Sequence, residues 1–117
     1  MGNDRRIDYI EFPSRDLEAS TAFHAAVFGW TFQDYGPDYR AFNDGRLDGG
    51  FYRADSVAAP GSGGALVVLY ADDLEATLER VRVHGGTILK DIFAFPGGRR
   101  FHFAEPGGNE LAVWSDR

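Results

Sequence analysis

Asp16-Leu17-Glu18-Ala19-Ser20 returns as Asp73-Leu74-Glu75-Ala76-Thr77, 57 residues further on (16 to 73) in a chain of 117. The spacing holds on both sides of the pentapeptide. The apolar run Ile10 to Pro13 precedes the first copy, and Val67 to Tyr70 precedes the second. Gly29 closes the first segment and Gly86 the second, again 57 apart (29 to 86). Strand, aspartate-capped helix and glycine stop thus occur twice at one spacing, which makes half the chain the repeating unit. Two such halves set side by side leave a cleft, and function is expected there.

Ile7 to Pro13 alternates as a strand does, with Ile10 and Phe12 on one face and Tyr9 and Glu11 on the other. Ser14 or Asp16 can cap a helix whose Ala19, Ala22, Phe23, Ala26 and Val27 form an apolar stripe. After Gly29, the stretches Trp30 to Tyr35, Tyr39 to Asn43 and Gly49 to Ala54 read as short strands. Gly36-Pro37-Asp38 and Asn43-Asp44-Gly45 supply the turns between them. Ala59 to Gly64 is a linker-like run at the midpoint. Beyond it, Ala65 to Ala71 reads as a continuous apolar strand. Leu74, Leu78 and Val81 then form a helical stripe, with Asp72 and Glu75 at capping-box spacing. Gly85-Gly86 stops this helix. Thr87 to Phe95, Arg99 to Ala104 and Glu110 to Trp114 complete three more strands, separated by Pro96-Gly97-Gly98 and Pro106-Gly107-Gly108. Each half is β-α-β-β-β.

A chain of this length forms one domain, 1–117, and buries about two-thirds of its unfolded surface. With no cysteine it has no disulfide, no thiolate nucleophile and no cysteine-ligated metal. The longest apolar stretch, Ala65 to Ala71, is far too short to span a bilayer, so no membrane partner is expected. Met1 to Arg6 runs into a strand pattern with no signal-peptide core behind it, which points to the cytoplasm. The net charge of −6 argues against nucleic acid as a partner, because phosphate binding needs a basic face. Arg99-Arg100, before Phe101-His102-Phe103, reads as a turn entering a strand. Phosphate-loop spacing and a nucleophile-elbow serine are both lacking.

Two βαβββ halves of this length resemble the glyoxalase/bleomycin-resistance/extradiol-dioxygenase, or vicinal oxygen chelate, superfamily. The resemblance covers almost the whole chain. It is carried by Tyr9 to Leu17, by Ala22-Phe23-His24 through Val27-Phe28-Gly29-Trp30, by Asp72-Asp73-Leu74, and by Glu105-Pro106-Gly107-Gly108-Asn109-Glu110-Leu111. It implies an α+β fold in which two modules, about 5–56 and 64–115, form an eight-stranded U-shaped, open-barrel mixed sheet. The helices would lie on its outer face. It also implies a homodimer. Metal-using members draw four ligands from the first and last strands of the two halves. Those positions fall here on Tyr9, Leu66, Ala112 and the stretch Gly49 to Arg53, which holds no histidine, glutamate, glutamine or aspartate. Leucine and alanine have no lone pair to give, and neutral tyrosine is a poor donor. No metal and no other cofactor is therefore expected.

Alternation places Tyr9 and Glu11 on the concave face in half one, and Leu66, Val68 and Tyr70 there in half two. Glu110, Ala112 and Trp114 join them from the last strand, and Tyr52 adds a further aromatic. Such a lining suits a small, partly apolar ligand with a hydrogen-bonding or cationic group. Glu11 and Glu110 each sit two residues from an implied ligand position. They can meet as a paired-carboxylate general base, or point to solvent, or pair with Arg40, Arg53 or Arg100. A relocated metal site on Glu11, Glu110 and His102 is a weaker alternative. His24 stands where the family usually has tyrosine and reads as a half-exposed helix residue. His84 reads as a helix C-terminal cation. If Phe101 and Phe103 pack under the helices, His102 points into the cleft as a candidate acid or base. The expected function is binding of a small organic molecule without metal, as the superfamily's resistance proteins do. The alternative is a metal-independent isomerase, lyase or hydrolase using Glu11, Glu110 or His102. A metal-dependent lactoylglutathione lyase or dioxygenase is the third reading.

Overall fold

The computed structural model describes residues 4–117; residues 1–3, where the N-terminal stretch discussed above begins, lie outside it. The elements in chain order are β1 (Tyr9–Ser14), α1 (Leu17–Phe28), β2 (Thr31–Asp34), β3 (Tyr39–Asn43) and β4 (Asp48–Arg53). After a 3-10 turn at Pro60–Ser62 come β5 (Val67–Tyr70), α2 (Leu74–Val83), β6 (Thr87–Phe95), β7 (Gly98–Ala104) and β8 (Glu110–Ser115). The eight strands are divided between two mixed four-stranded sheets of identical topology, β1-β4-β3-β2 and β5-β8-β7-β6, and neither sheet closes on itself. In each, the first strand pairs parallel to the last, with Tyr9 opposite Asp48 and Val67 opposite Leu111, while the other pairs are antiparallel. The helix between first and second strands makes that parallel pairing possible, because a parallel neighbour needs a long crossover. No helix among the described residues is long and apolar enough to cross a membrane.

Both helices begin on the repeated aspartate. Asp16 Oδ1 accepts from the Ala19 amide at 3.1 Å, and Asp73 Oδ1 from the Ala76 amide at 3.0 Å. The expected Asp72 cap is thus displaced by one residue. Asp73 has the extended backbone of a cap, whereas Asp72 is exposed and pairs with Arg117. Gly29 ends α1 in the left-handed region (φ 74), which costs glycine little.

The buried stripe of α1 differs from the alanine-based one. It consists of Leu17, Ser20, Phe23, His24 and Val27, while Ala22 is exposed. His24 is fully buried, not half-exposed: its ring stacks on Trp30 at 4.6 Å and its Nδ1 bonds the Ser20 carbonyl at 2.9 Å. Polar Ser20 and His24 can face inward because each has a hydrogen-bond partner there. Alanine loses little by facing out.

One apolar core serves both halves. Phe12, Trp30, Phe42 and Phe51 come from the first, and Phe101, Phe103, Leu111 and Val113 from the second. Phe23 of α1 bridges them, its ring 5.8 Å from that of Phe103. Arg80 of α2 donates to the Ala26 carbonyl of α1 at 2.6 Å. The helices lie on the core side of the sheets, and each sheet leaves its other face open.

Candidate functional site

In half one, Ile10 and Phe12 turn toward the core and Tyr9 and Glu11 toward the open face. In register beside them stand Gly50 and Tyr52 of β4, and Tyr39 and Ala41 of β3. Gly50 is needed here. A Cβ at this position would strike the phenol of Tyr39, which lies across it. From that position the Tyr39 hydroxyl donates to Glu11 Oε2 at 2.9 Å and, its one proton spent, accepts from the Tyr9 hydroxyl. Burial, and then the bonds to Tyr9 and Glu11, hold the Tyr39 phenol well above the ordinary tyrosine range. Tyr9, Tyr35 and Tyr39, with Thr31, Gln33, Asn43 and Asp48, are among the walls of a 610 Å³ depression on this sheet.

In half two, Phe101 and Phe103 are wholly buried beneath the helices, so His102 lies on the opposite, open face. Val68 and Tyr70 of β5, Glu110, Ala112 and Trp114 of β8, and Arg100 of β7 share that face by register. His102 Nδ1 lies 3.0 Å from Glu110 Oε2. The carboxylate accepts only, so Nδ1 carries the proton. Nε2 of the same ring is buried without a partner. Val68, Phe95, Gly97, Arg100 and Trp114 line a second cavity of 320 Å³.

The two glutamates each have their own partner, Tyr39 for Glu11 and His102 for Glu110. The arginines considered for them are otherwise placed. Arg40 pairs with Asp34 and Arg53 with Asp38, while Arg100 stacks on aromatic rings. Leu66 precedes β5, half-buried, and Ala112 is a buried methyl group in register between Val68 and His102. His84 is exposed at the α2 C-terminus.

The donor set at the implied metal positions does not fit a divalent ion. Leu66 and Ala112 offer no lone pair, and the Tyr9 hydroxyl is engaged with Tyr39. Among the described residues no three His, Cys, Asp or Glu side chains group as a metal site.

Sequence reasoning missed a buried polar knot between the halves. Glu105 Oε1 accepts from Ser20 Oγ (2.8 Å) and from the Gly107 amide (2.7 Å), and Oε2 accepts from Asn109 Nδ2 (2.7 Å). Asn109 also donates to the Pro13 carbonyl at 2.6 Å and accepts from the Ala58 amide at 2.8 Å. Burial raises the Glu105 carboxyl despite these donors. The signal was a carboxylate and an amide flanking the Pro106-Gly107-Gly108 turn, which local reading treats as turn chemistry alone. Ser20, Glu105 and Asn109 are buried and line neither cavity.

The sequence profile of the Glyoxalase/Bleomycin resistance protein/Dioxygenase superfamily matches residues 6–113. The chain belongs to that superfamily. Among superfamily relatives, a glyoxylase-like domain-containing protein of Didymella fabae is 29% identical over 128 aligned residues, covering 92% of this chain and 91% of that protein. A glyoxalase/bleomycin resistance protein/dioxygenase family enzyme from Burkholderia phytofirmans PsJN superposes with a TM-score of 0.78 at 17% identity, covering 95% of this chain and all of the other. A mutant fosfomycin resistance protein, FosX, from Listeria monocytogenes, solved with manganese(II) and 1S,2S-dihydroxypropylphosphonic acid, gives 0.79 at 16% identity, covering 94% and 89%. Lactoylglutathione lyase from Agrobacterium tumefaciens gives 0.71 at 21%, covering 95% and 93%. At such identities these superfamily structures share a fold with this chain, and shared fold is not shared chemistry.

Proposed function

We propose that this superfamily member binds a small organic molecule on the open faces of its sheets, without a metal. The observation that carries the reading is the pair of aromatic-walled cavities, 610 Å³ and 320 Å³, within or near the size range of ligand pockets. The large side chains around them are unusually bare for their type: Tyr9, Tyr52, Val68 and Tyr70 are each 40–46% exposed. Each cavity is lined by one half of the chain alone. A homodimer that sets one open face against another would enclose what a single chain leaves open; sedimentation should then report twice the chain mass of 12.9 kDa.

Trp114 lines the second cavity whereas Trp30 is buried in the core, so Trp114 is the internal reporter. A library of small metabolites and antibiotics should contain compounds that quench it saturably, raise the melting temperature and are recovered unchanged. Saturating ligand at a hundredfold excess over Kd adds about 2.7 kcal/mol of stability. A library-wide absence of both quenching and thermal shift would remove this reading.

A second reading rests on a different observation, the His102–Glu110 pair. A histidine oriented by a carboxylate through Nδ1, with Nε2 unpartnered, has the arrangement of a general acid–base pair. It fits a metal-independent isomerase, lyase or hydrolase, with Glu11 and its Tyr39 donor on the other sheet. Turnover that survives chelators and is lost in Glu110→Gln would select this reading; turnover restored only by added metal would reject it.

A further inference from the structure

The open face of half two carries a cation with no counter-charge. Among the described residues Arg100 makes no ion pair and no hydrogen bond, and its Nε is buried without a partner. Its surroundings make this unusual. The chain has a net charge of −6, and the adjacent Arg99 takes a bidentate bond to Glu75. The carboxylates on the same side are engaged elsewhere: Glu110 is held by His102, and Asp116, just past β8, accepts from the Tyr70 hydroxyl. Arg100 is instead fixed by two aromatic rings, with its guanidinium carbon 5.3 Å from the Phe93 centroid and 5.5 Å from that of Phe95.

Guanidinium tolerates such stacking because it is planar and weakly hydrated, and stacking leaves its in-plane N–H groups free. Those groups form a fork that matches a carboxylate in two parallel bonds. The rest of the site is apolar. Phe95, Val68 and Trp114 form the other walls, with the Trp114 ring held edge-on by Tyr70 at 5.2 Å and 6.2 Å from Phe95. Arg100 is the one charged residue in the cavity wall, so a single negative charge is matched and a second would go unpaired. The volume, 320 Å³, suits a single-ring body.

We infer that the half-two cavity is a site for a small organic monocarboxylate, whose apolar or aromatic body lies against Trp114 and Val68 and whose carboxylate is taken by Arg100. The inference rests on the proposed small-molecule function and adds to it the charge of the ligand. It also departs from the hydrogen-bonding or cationic ligand group expected from the sequence, because both glutamates are engaged and the arginine is not.

The test compares benzoate, benzamide and benzylamine, which share one ring and differ in charge, by titration of the full chain followed through the two tryptophan indole N–H signals. Benzoate should shift the Trp114 signal and leave Trp30 in place, with an affinity at least tenfold above that for benzamide. Benzylamine should bind least. Arg100→Gln should abolish the benzoate preference, and Arg100→Lys, which keeps the charge but loses the fork, should retain part of it; unchanged near-ultraviolet circular dichroism checks that both variants fold. Equal binding of benzoate and benzamide would overturn the charge assignment while leaving the small-molecule reading intact. Failure of all three probes would overturn this site, and the broad library separately decides the wider reading. If Arg100→Gln dissociates a dimer while wild type shows no benzoate preference, the counter-charge is a carboxylate of a second chain and the inference is wrong.

Discussion

Burial shifts two ionisable side chains of the interior, His24 and Glu105, and they act on stability with opposite sign. His24 lies wholly inside, and burial lowers its pKa from 6.5 to about 4, with the Ser20 carbonyl opposing only in part. Between those values the unfolded chain binds a proton that the folded chain refuses. Stability is therefore complete above pH 6.5 and is lost as pH falls toward 4, by about 3 kcal/mol from this residue. His24→Phe keeps the stack on Trp30 and removes the titration. Its melting temperature should fall less than that of wild type between pH 6.5 and 4; parallel curves would disprove the assignment. Glu105 works the other way, since its raised carboxyl holds a proton that the unfolded chain releases, so its contribution diminishes as pH rises through its folded pKa.

Among the elements, the β7–β8 turn shows how tightly a loop can be tied to a helix. Gly107 lies against the hydroxyls of Ser14 and Ser20, and an added Cβ would strike both. The same residue donates its amide to Glu105. Gly107→Ala must push the turn off α1 and strain or break the Ser20–Glu105 bond, at a cost of about 1–3 kcal/mol. Gly61→Ala, in the linker turn with open space around its Cβ position, is the matched control and should change stability little. Denaturant midpoints for the two variants provide the comparison. The open-face strands show a milder form of the same dependence, because Tyr39 reaches Glu11 only across the bare backbone of Gly50.

For the molecule as a whole, the two repeats share one interior. Phe23 of the first module touches Phe103 of the second, and Asn109 ties Pro13 and Ala58 to the β7–β8 turn. The modules should consequently unfold in a single calorimetric transition. Phe103→Ala, at a wholly buried position, should lower stability by about 3–5 kcal/mol without splitting that transition. Two separated transitions would mean that the halves are independent.

The duplication, the order of elements, the helix caps to within a residue or two and the strand phase that turns His102 away from Phe101 and Phe103 are all local or periodic, and the bare sequence contained them. The same holds for the missing lone pairs at Leu66 and Ala112, a matter of residue type. Other features depend on neighbours far along the chain. The α1 stripe turned so that His24 could stack on Trp30, Glu105 gained a donor from α1 beside those of its own turn, and Arg100 was left unpaired while Arg40, Arg53 and Arg99 found carboxylates. Periodicity measures how apolar a face is. Which buried polar group is satisfied, and which charge is left bare, depends on the atoms that distant segments bring alongside, and folding alone brings them there.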